Sequence, residues 1–319
     1  MLLDQGVHDI PDVDYHADPA REPSLSRSIA KALIQQSPLH ARMMHPRLNP
    51  LLGTGSDASD EMDIGSAAHA MFLKGEDAIA VIPFASYASK EAKAQRDAAR
   101  AEGRIPLKQH HYERAISIVN ALVRFRDETG AFTLGKPERT LICQDTQHWS
   151  RIKVDWLPDD PAAPLWDLKT TAGIASAQKW TRAAFEAGAD MQAAFYARVS
   201  EIVRGEPPAG MCFAVVEQDY PHGIRVFELG AEALEIGEAK CAEARRLWVE
   251  CMASGVWPSY PTEIETVDAP PWEIRQWEYR TATRQAMLQH QQAQMQAERR
   301  DSARYNAVDK ILAAGNMGG

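Results

Sequence analysis

The feature that most constrains this chain is a change of hydrophobic period near residue 135. Three short segments follow it, ERTLICQD (138–145), HWSRIKVDWLPDD (148–160) and PLWDLKTT (164–171). They are rich in β-branched and aromatic residues and are separated by turn signals such as Pro158-Asp159-Asp160-Pro161. They read as three neighbouring strands, the second and third joined as a hairpin. On either side the period is helical. In SLSRSIAKALIQQSPLHARMM (24–44), Leu25, Ile29, Leu33 and Ile34 share one face, with Ser26 or Ser28 available as N-cap. After a Gly/Ser/Asp loop over 48–61, MDIGSAAHAMFLKG (62–75) begins a second helix, in which Gly65, Ser66, Ala67 and Ala68 permit close packing. Helices are also expected near 88–102, 109–128, 176–187, 189–204 and 231–254, with strands GMCFAVVEQ and GIRVFEL meeting across Pro221-His222-Gly223.

Both ends differ from this middle. Residues 1–20 are acidic, contain proline and lack a period, so a segment that is extended or loosely attached is expected. Residues 261–319 read as a Gln/Ala/Arg-rich helical extension after Pro270-Pro271, closing in a flexible AAGNMGG. That extension suits an oligomerisation helix or a helix packed on its own domain.

With 319 residues, 45% apolar and 25% charged, the chain can bury a substantial core. It contains no run of 18 apolar residues, and its first residues are acidic where a signal peptide is basic, so a cytoplasmic protein without a membrane span is expected. Cys143, Cys212, Cys241 and Cys251 show no C-x-x-C pairing, which argues against a zinc ribbon or redox motif. A net charge of −9 argues against coating nucleic acid nonspecifically, but not against an enzyme with a local basic channel. Residues 86–126 carry nine Lys or Arg against four acids, a pattern shared by solvated helices and by DNA-facing ones.

The chemistry centres on Asp167-Leu168-Lys169. Side chains two apart on a strand share a face, so Asp167 and Lys169 project together while Leu168 turns to the core. Asp155, at the end of the preceding strand, would bring a second carboxylate beside them. Two carboxylates about 4 Å apart repel by roughly 4 kcal/mol at an effective dielectric near 20, so a cation must lie between them for both to ionise. Lys169 supplies one charge and a divalent ion would supply more; oxygen-rich sites suit Mg²⁺ or Mn²⁺ and phosphodiester hydrolysis. A plain Asp167–Lys169 salt bridge accounts for these residues equally well. Two further patterns bear on the choice: His69 on the upstream helix can complete a metal shell, and Gln192 and Tyr196, at i and i+4, share one helix face from which they can hold a phosphate or a base.

The order G-x-x-x-H helix, strand with Asp155, Asp-x-Lys strand, Q-x-x-x-Y helix resembles the PD-(D/E)XK nuclease superfamily in its RecB- and RecE-type branch. YHADPA, SLSRSIAKALIQQSPLHA and MDIGSAAHAMFLKGED look like the opening of the RecE-like exonuclease domain, exodeoxyribonuclease VIII of prophages; the resemblance spans about residues 14–255. It implies an α/β fold with a central mixed sheet flanked by helices and with added N- and C-terminal helices, the nuclease domain occupying 21–260. It implies Mg²⁺ (Mn²⁺ as substitute) held by His69, Asp155, Asp167 and the carbonyl of Leu168, with Lys169 catalytic and Gln192 and Tyr196 supporting the substrate side. It further implies 5′ to 3′ digestion of duplex DNA ends by a ring-shaped homo-oligomer that passes the 3′ strand to a RecT-type annealing protein in a bacterial host. Ser26, Arg27 and Ser28 are candidates for a 5′-phosphate contact, capping being the competing role of the serines. The second acid is Asp where many relatives have Glu. The cysteines do not bracket the core as an iron–sulfur cluster requires, and no Walker A pattern for ATP is present. The rivals are an endonuclease or flap nuclease with the same metal core, which would cut closed circles, and a non-catalytic DNA-end-binding module.

Overall fold

A computed structural model describes residues 2–49 and 64–315, with side chains through residue 300. Most of the loop expected over 48–61, and tail residues 316–319, lie outside that description. In chain order the first elements are β1 (Gly6–His8), α1 (Asp12–His16), β2 (Ser24–Ser26), α2 (Arg27–Gln35), α3 (Pro38–Met44) and α4 (Ile64–Lys74). A small unit follows: β3 (Ile79–Ile82), α5 (Lys90–Ala101) and β4 (Ile105–Lys108). Then come α6 (Gln109–Thr129), β5 (Gly135–Asp145), β6 (His148–Pro158), β7 (Leu165–Thr171), α7 (Ala177–Ala187) and α8 (Ala189–Arg204). The chain closes with β8 (Met211–Glu217), β9 (Ile224–Phe227), α9 (Ala231–Ser254) and α10 (Pro271–Gly315).

The centre is a seven-stranded mixed sheet, ordered β1-β5-β6-β7-β8-β9 with β2 also paired to β6. Alternation along the strands feeds two cores. Leu165, Phe213, Ile152 and Val154 pack with α2, α8 and α9 on one face; Leu168, Ala214 and Val216 pack with α4 and α6 on the other. This is the α/β architecture with helices on both faces of a mixed sheet. Contacts divide the chain into residues 1–260 and 261–319. In the second unit α10 is one helix of 45 residues, on which Trp272, Trp277, Tyr279 and Met287 are exposed.

Two sequence expectations need correction. The tight hairpin joins β5 to β6 through Thr146-Gln147, with Asp145 opposite His148; β6 and β7 pair only at Trp156 and Trp166. Thr146 takes a positive φ of 54°, as two-residue hairpin turns require. Two further strands, β3 and β4, carry no clear period in the sequence; they pair in parallel and cover the small core of Ala80, Ile82, Tyr87, Ala92 and Ala99. Finally, the N-terminal residues are not loosely attached: β1 pairs antiparallel with β5 (Gly6 to Ile142, His8 to Thr140), and Leu3 bridges Ala20.

A buried polar cluster fixes the end of that N-terminal segment. Asp18, in left-handed conformation (φ 61°), accepts hydrogen bonds from the Ser24 N–H (2.9 Å) and Oγ (2.6 Å). Arg151 Nη1 lies 3.0 Å from its carboxylate and His45 Nε2 3.2 Å. Burial pushes the Asp18 carboxyl up, but the His45, Arg151 and Ser24 contacts outweigh it and hold it below the ordinary range. β2 lies beside β6 and donates this contact set, so the first strand of the helical half is locked to the sheet.

Removing one partner of a buried ion pair leaves the other charge uncompensated, so Asp18→Asn, which keeps the left-handed backbone, should cost about 3–5 kcal/mol in denaturant titration. The sign with pH follows from the lowered carboxyl. Asp18's contribution is complete above about pH 3.9, the unfolded value, and is lost as pH falls through the lower folded value. The acid limb of the stability profile should therefore flatten in Asp18→Asn.

Candidate active site

β6 has β5 along one side, and on the other side it is shared. β2 pairs with Trp149–Arg151 near its start and β7 meets it at Trp156. Between these contacts the strands fork, and the predicted site residues gather in and around the fork. Asp155 lies inside β6 rather than at its end. The Leu168 N–H, which has no β6 carbonyl to reach, donates instead to Asp155 Oδ2 at 2.8 Å. The same oxygen is 3.0 Å from His69 Nε2 on α4.

The G-x-x-x-H spacing has a packing reason. Gly65 lies one turn before His69 on the same helix face. A Cβ there would lie 2.3 Å from Thr170 Oγ1 and 2.6 Å from Gln218 Nε2. Glycine thus lets α4 sit directly on β7 and bring the imidazole to Asp155.

Asp167 is 3% exposed and faces α8. Gln192 Nε2 donates to its Oδ1 at 2.5 Å, and Lys169 Nζ is 2.6 Å from its Oδ2. The Gln192 amide is therefore engaged with a carboxylate, while also lining a cleft of about 330 Å³ with Arg27, Lys169, Lys179 and Trp180. Leu168 is core, 2% exposed. Tyr196, on α8, packs against the core, and burial pushes its phenol well above the ordinary range, so it is not a base. Ser26 is the N-cap of α2, accepting from Ile29 N at 3.5 Å, and Ser28 is exposed. Arg27 reaches the carbonyls of Ala187 and Gly188, the latter at 2.9 Å.

Glu138 was not singled out from the sequence, yet its carboxylate, His69 and Asp155 each offer a ligand atom within 4.8 Å of the others. The β5–β6 register sets Pro137 opposite Trp156 and Arg139 opposite Val154, so Glu138 stands across from Asp155. It does so at φ 56°, a strained conformation for a non-glycine strand residue. Counting back from the Thr146-Gln147 turn gives this register from sequence alone. The signal was present once ERTLICQD and HWSRIKVDW are read as the hairpin.

The electrostatics separate the two aspartates. Burial raises both carboxyls. For Asp155 the charge and hydrogen bond of His69, then Lys169 and the Leu168 N–H, outweigh burial and hold it low. For Asp167 burial, with the Asp155 charge added, wins over Lys169 and Gln192, and its carboxyl is raised. Burial disfavours the charged forms of His69 and Lys169, but the surrounding carboxylates overcome it and raise both. One imidazole and two carboxylates at this spacing fit a hard divalent cation, held by His69, Glu138 and Asp155 with Asp167 adjacent. Such an ion would polarise a phosphoryl oxygen and acidify a bound water. The four cysteines are buried and unpaired in β5, β8 and α9.

A forked mixed sheet carrying Asp155, Asp167 and Lys169, approached by a G-x-x-x-H helix, defines a PD-(D/E)XK-type domain. In agreement, the family model for a PDDEXK-like domain of unknown function (DUF3799) matches residues 37–270, and the chain belongs to that family. Among solved structures the fold is similar to that of a Eubacterium rectale protein called a "putative exonuclease". The two share 14% identity at a TM-score of 0.56, over 82% of this chain and 96% of that one. A comparison with curated proteins returned no sequence match.

Gly65→Ala should force α4 away from β7 and cost about 1–3 kcal/mol, the range for overpacking a tight contact. Denaturant titration checks this. A variant as stable as the parent would mean that α4 and β7 are not packed this closely.

Proposed function

We propose that the protein is a Mg²⁺-dependent deoxyribonuclease that hydrolyses phosphodiester bonds at the ends of linear duplex DNA, 5′ to 3′, leaving 3′ single strands for phage-type recombination. The observation that carries the reading is the meeting of His69, Glu138 and Asp155 beside the Asp167–Lys169 pair. That arrangement supplies both an oxygen-rich cation site and an ammonium group next to it. The RecE-like opening of the sequence supports the choice of DNA ends over internal sites, and with it a ring-shaped oligomer, a RecT-type annealing partner and action in the bacterial cytoplasm. Among the described residues no helix is long and apolar enough to cross a membrane.

In this reading a water attacks phosphorus in line with the bond to the 3′ oxygen. That bond breaks, the new P–O bond leaves a 5′ phosphate, and a proton passes to the departing 3′ oxygen. Lys169 orients the water and stabilises its hydroxide form, its own position held by Asp167. Gln192 fixes Asp167, so that the carboxylate does not rotate when substrate enters. Arg27 and Lys179 line the cleft beside Lys169 and offer positive charge to the phosphates of the bound strand.

A duplex labelled at either 5′ or 3′ end, digested with Mg²⁺ or with EDTA, tests this directly. Linear DNA should be lost only with Mg²⁺, with early release of the 5′ label, while covalently closed circles persist. Cutting of the circles would make the protein an endonuclease, and binding of ends without hydrolysis a loading module. Lys169→Ala should lower kcat by about 10²–10⁴ with DNA affinity little changed; undiminished Mg²⁺-dependent cleavage would remove the lysine from the mechanism.

A further inference from the structure

Behind Glu138, on the side away from Asp167, lies a ring of four charges. Lys153 Nζ is 3.0 Å from Glu138 Oε2 and Lys74 Nζ 3.8 Å from the same oxygen. Both ammonium groups also pair with one carboxylate of the N-terminal helix α1, Asp12: Lys153 with Oδ1 and Lys74 with Oδ2. Each lysine comes from an element that carries a site residue. Lys153 precedes Asp155 by two positions on β6, and Lys74 ends the helix that holds His69. The four residues border one cleft of about 920 Å³ that also reaches Arg104 and Arg139. The other oxygen of Glu138 points to His69, with Nδ1 at 3.9 Å. Glu138 therefore sits between two lysines and the cation site formed with His69 and Asp155, and a cation must compete with both ammonium groups for it.

We propose that Asp12 is a positioning residue for the metal site: it holds Lys74 and Lys153 as their standing counterion, so that Glu138 is free to ligate a divalent cation. The inference rests on the metal-dependent reading above. Without Asp12 both lysines have Glu138 as their shared partner, and two uncompensated positive charges face the incoming ion. The effect is one of charge balance, so a neutral pair can replace the Asp12–Lys153 ion pair without loss, whereas a neutral residue in place of Asp12 alone cannot. A role confined to anchoring α1 predicts the reverse, with the double change at least as harmful as the single one.

The test is calorimetric titration of Mn²⁺ into the DNA-free full chain, comparing wild type, Asp12→Asn, Asp12→Glu and Asp12→Asn/Lys153→Met, with circular dichroism as a folding control. Asp12→Asn should bind Mn²⁺ roughly 10-fold more weakly, the size of effect typical of residues that support metal ligands. Asp12→Glu should restore most of the affinity, and so should the double variant. Unchanged affinity in Asp12→Asn, or no recovery in the double variant, overturns the inference while leaving the metal reading intact. No Mn²⁺ uptake by the wild type overturns both.

Discussion

The site depends on one oxygen, Asp155 Oδ2. It accepts the Leu168 N–H at 2.8 Å and lies 3.0 Å from His69 Nε2. The first contact replaces a ladder hydrogen bond where β6 and β7 part, and a backbone N–H buried without a partner would cost about 1–3 kcal/mol. The second ties α4 to the sheet. Asp155 thus closes the fork and fixes His69 with the same atom, and the alternation of β6 gives way around it. Ile152 and Val154 belong to one core and Trp156 to the other. Glu138, across the ladder, takes up the irregularity in its left-handed backbone. The strain and the loss of pairing fall together where ligating atoms must converge, as expected when a functional site is built into an otherwise regular sheet.

Two carboxylates so close cannot have identical surroundings and remain useful. Asp155 takes the imidazole and a backbone N–H, and its charge is favoured; Asp167 lies deeper, against Gln192 and Lys169, and its carboxyl is raised. The separation divides the work. In the proposed reaction Asp155 presents charge toward His69 on α4 and Glu138 on β5, while Asp167 holds the lysine beside the cleft. Both environments come from the strand period. Asp167 and Lys169 point to the α8 face because Leu168 points to the α4 core, so one buried leucine orients two charged neighbours.

How much of this was legible in the chain follows from the range of the interactions. His69, Asp167, Lys169 and Gln192 sit on locally periodic elements, and strand alternation or one helical turn is enough to aim them; Asp155 lies where the alternation of β6 breaks. The ends of α8 and α9, at Arg204 and Ser254, were likewise readable because glycines with positive φ follow them. Glu138 is hidden because its place depends on the β5–β6 register, which a hairpin between the second and third segments conceals. The order of the first twenty residues is illegible for a different reason. β1 is three residues long and carries no period of its own; its order comes from pairing with β5 more than a hundred residues later and from Asp18 reaching Arg151. Low hydrophobicity and acidic composition describe a segment that cannot fold alone, not one that has no place in a fold.

A net charge of −9 does not by itself describe the charge around the fork. Net charge is a sum over the surface, whereas a phosphate responds to the charges within about a Debye length, roughly 8–10 Å. Around the fork many cations are already matched: Lys74 and Lys153 by Asp12 and Glu138, Arg151 by Asp18, Arg198 by Asp145. Those pairs hold strands and helices in register and contribute little field at a distance. Lys179 and Arg27 share one cleft with Lys169, whose own partner is Asp167, and Arg27 is tied to carbonyls rather than to an acid. In the proposed function a polyanion would meet the charges of Lys179 and Arg27 on the side where the half-buried Lys169 lies. The paired acids and bases keep the opposite wall, around Glu138, near neutrality. In the proposed function this asymmetry would favour entry of the DNA strand from the cleft side, which the overall charge conceals.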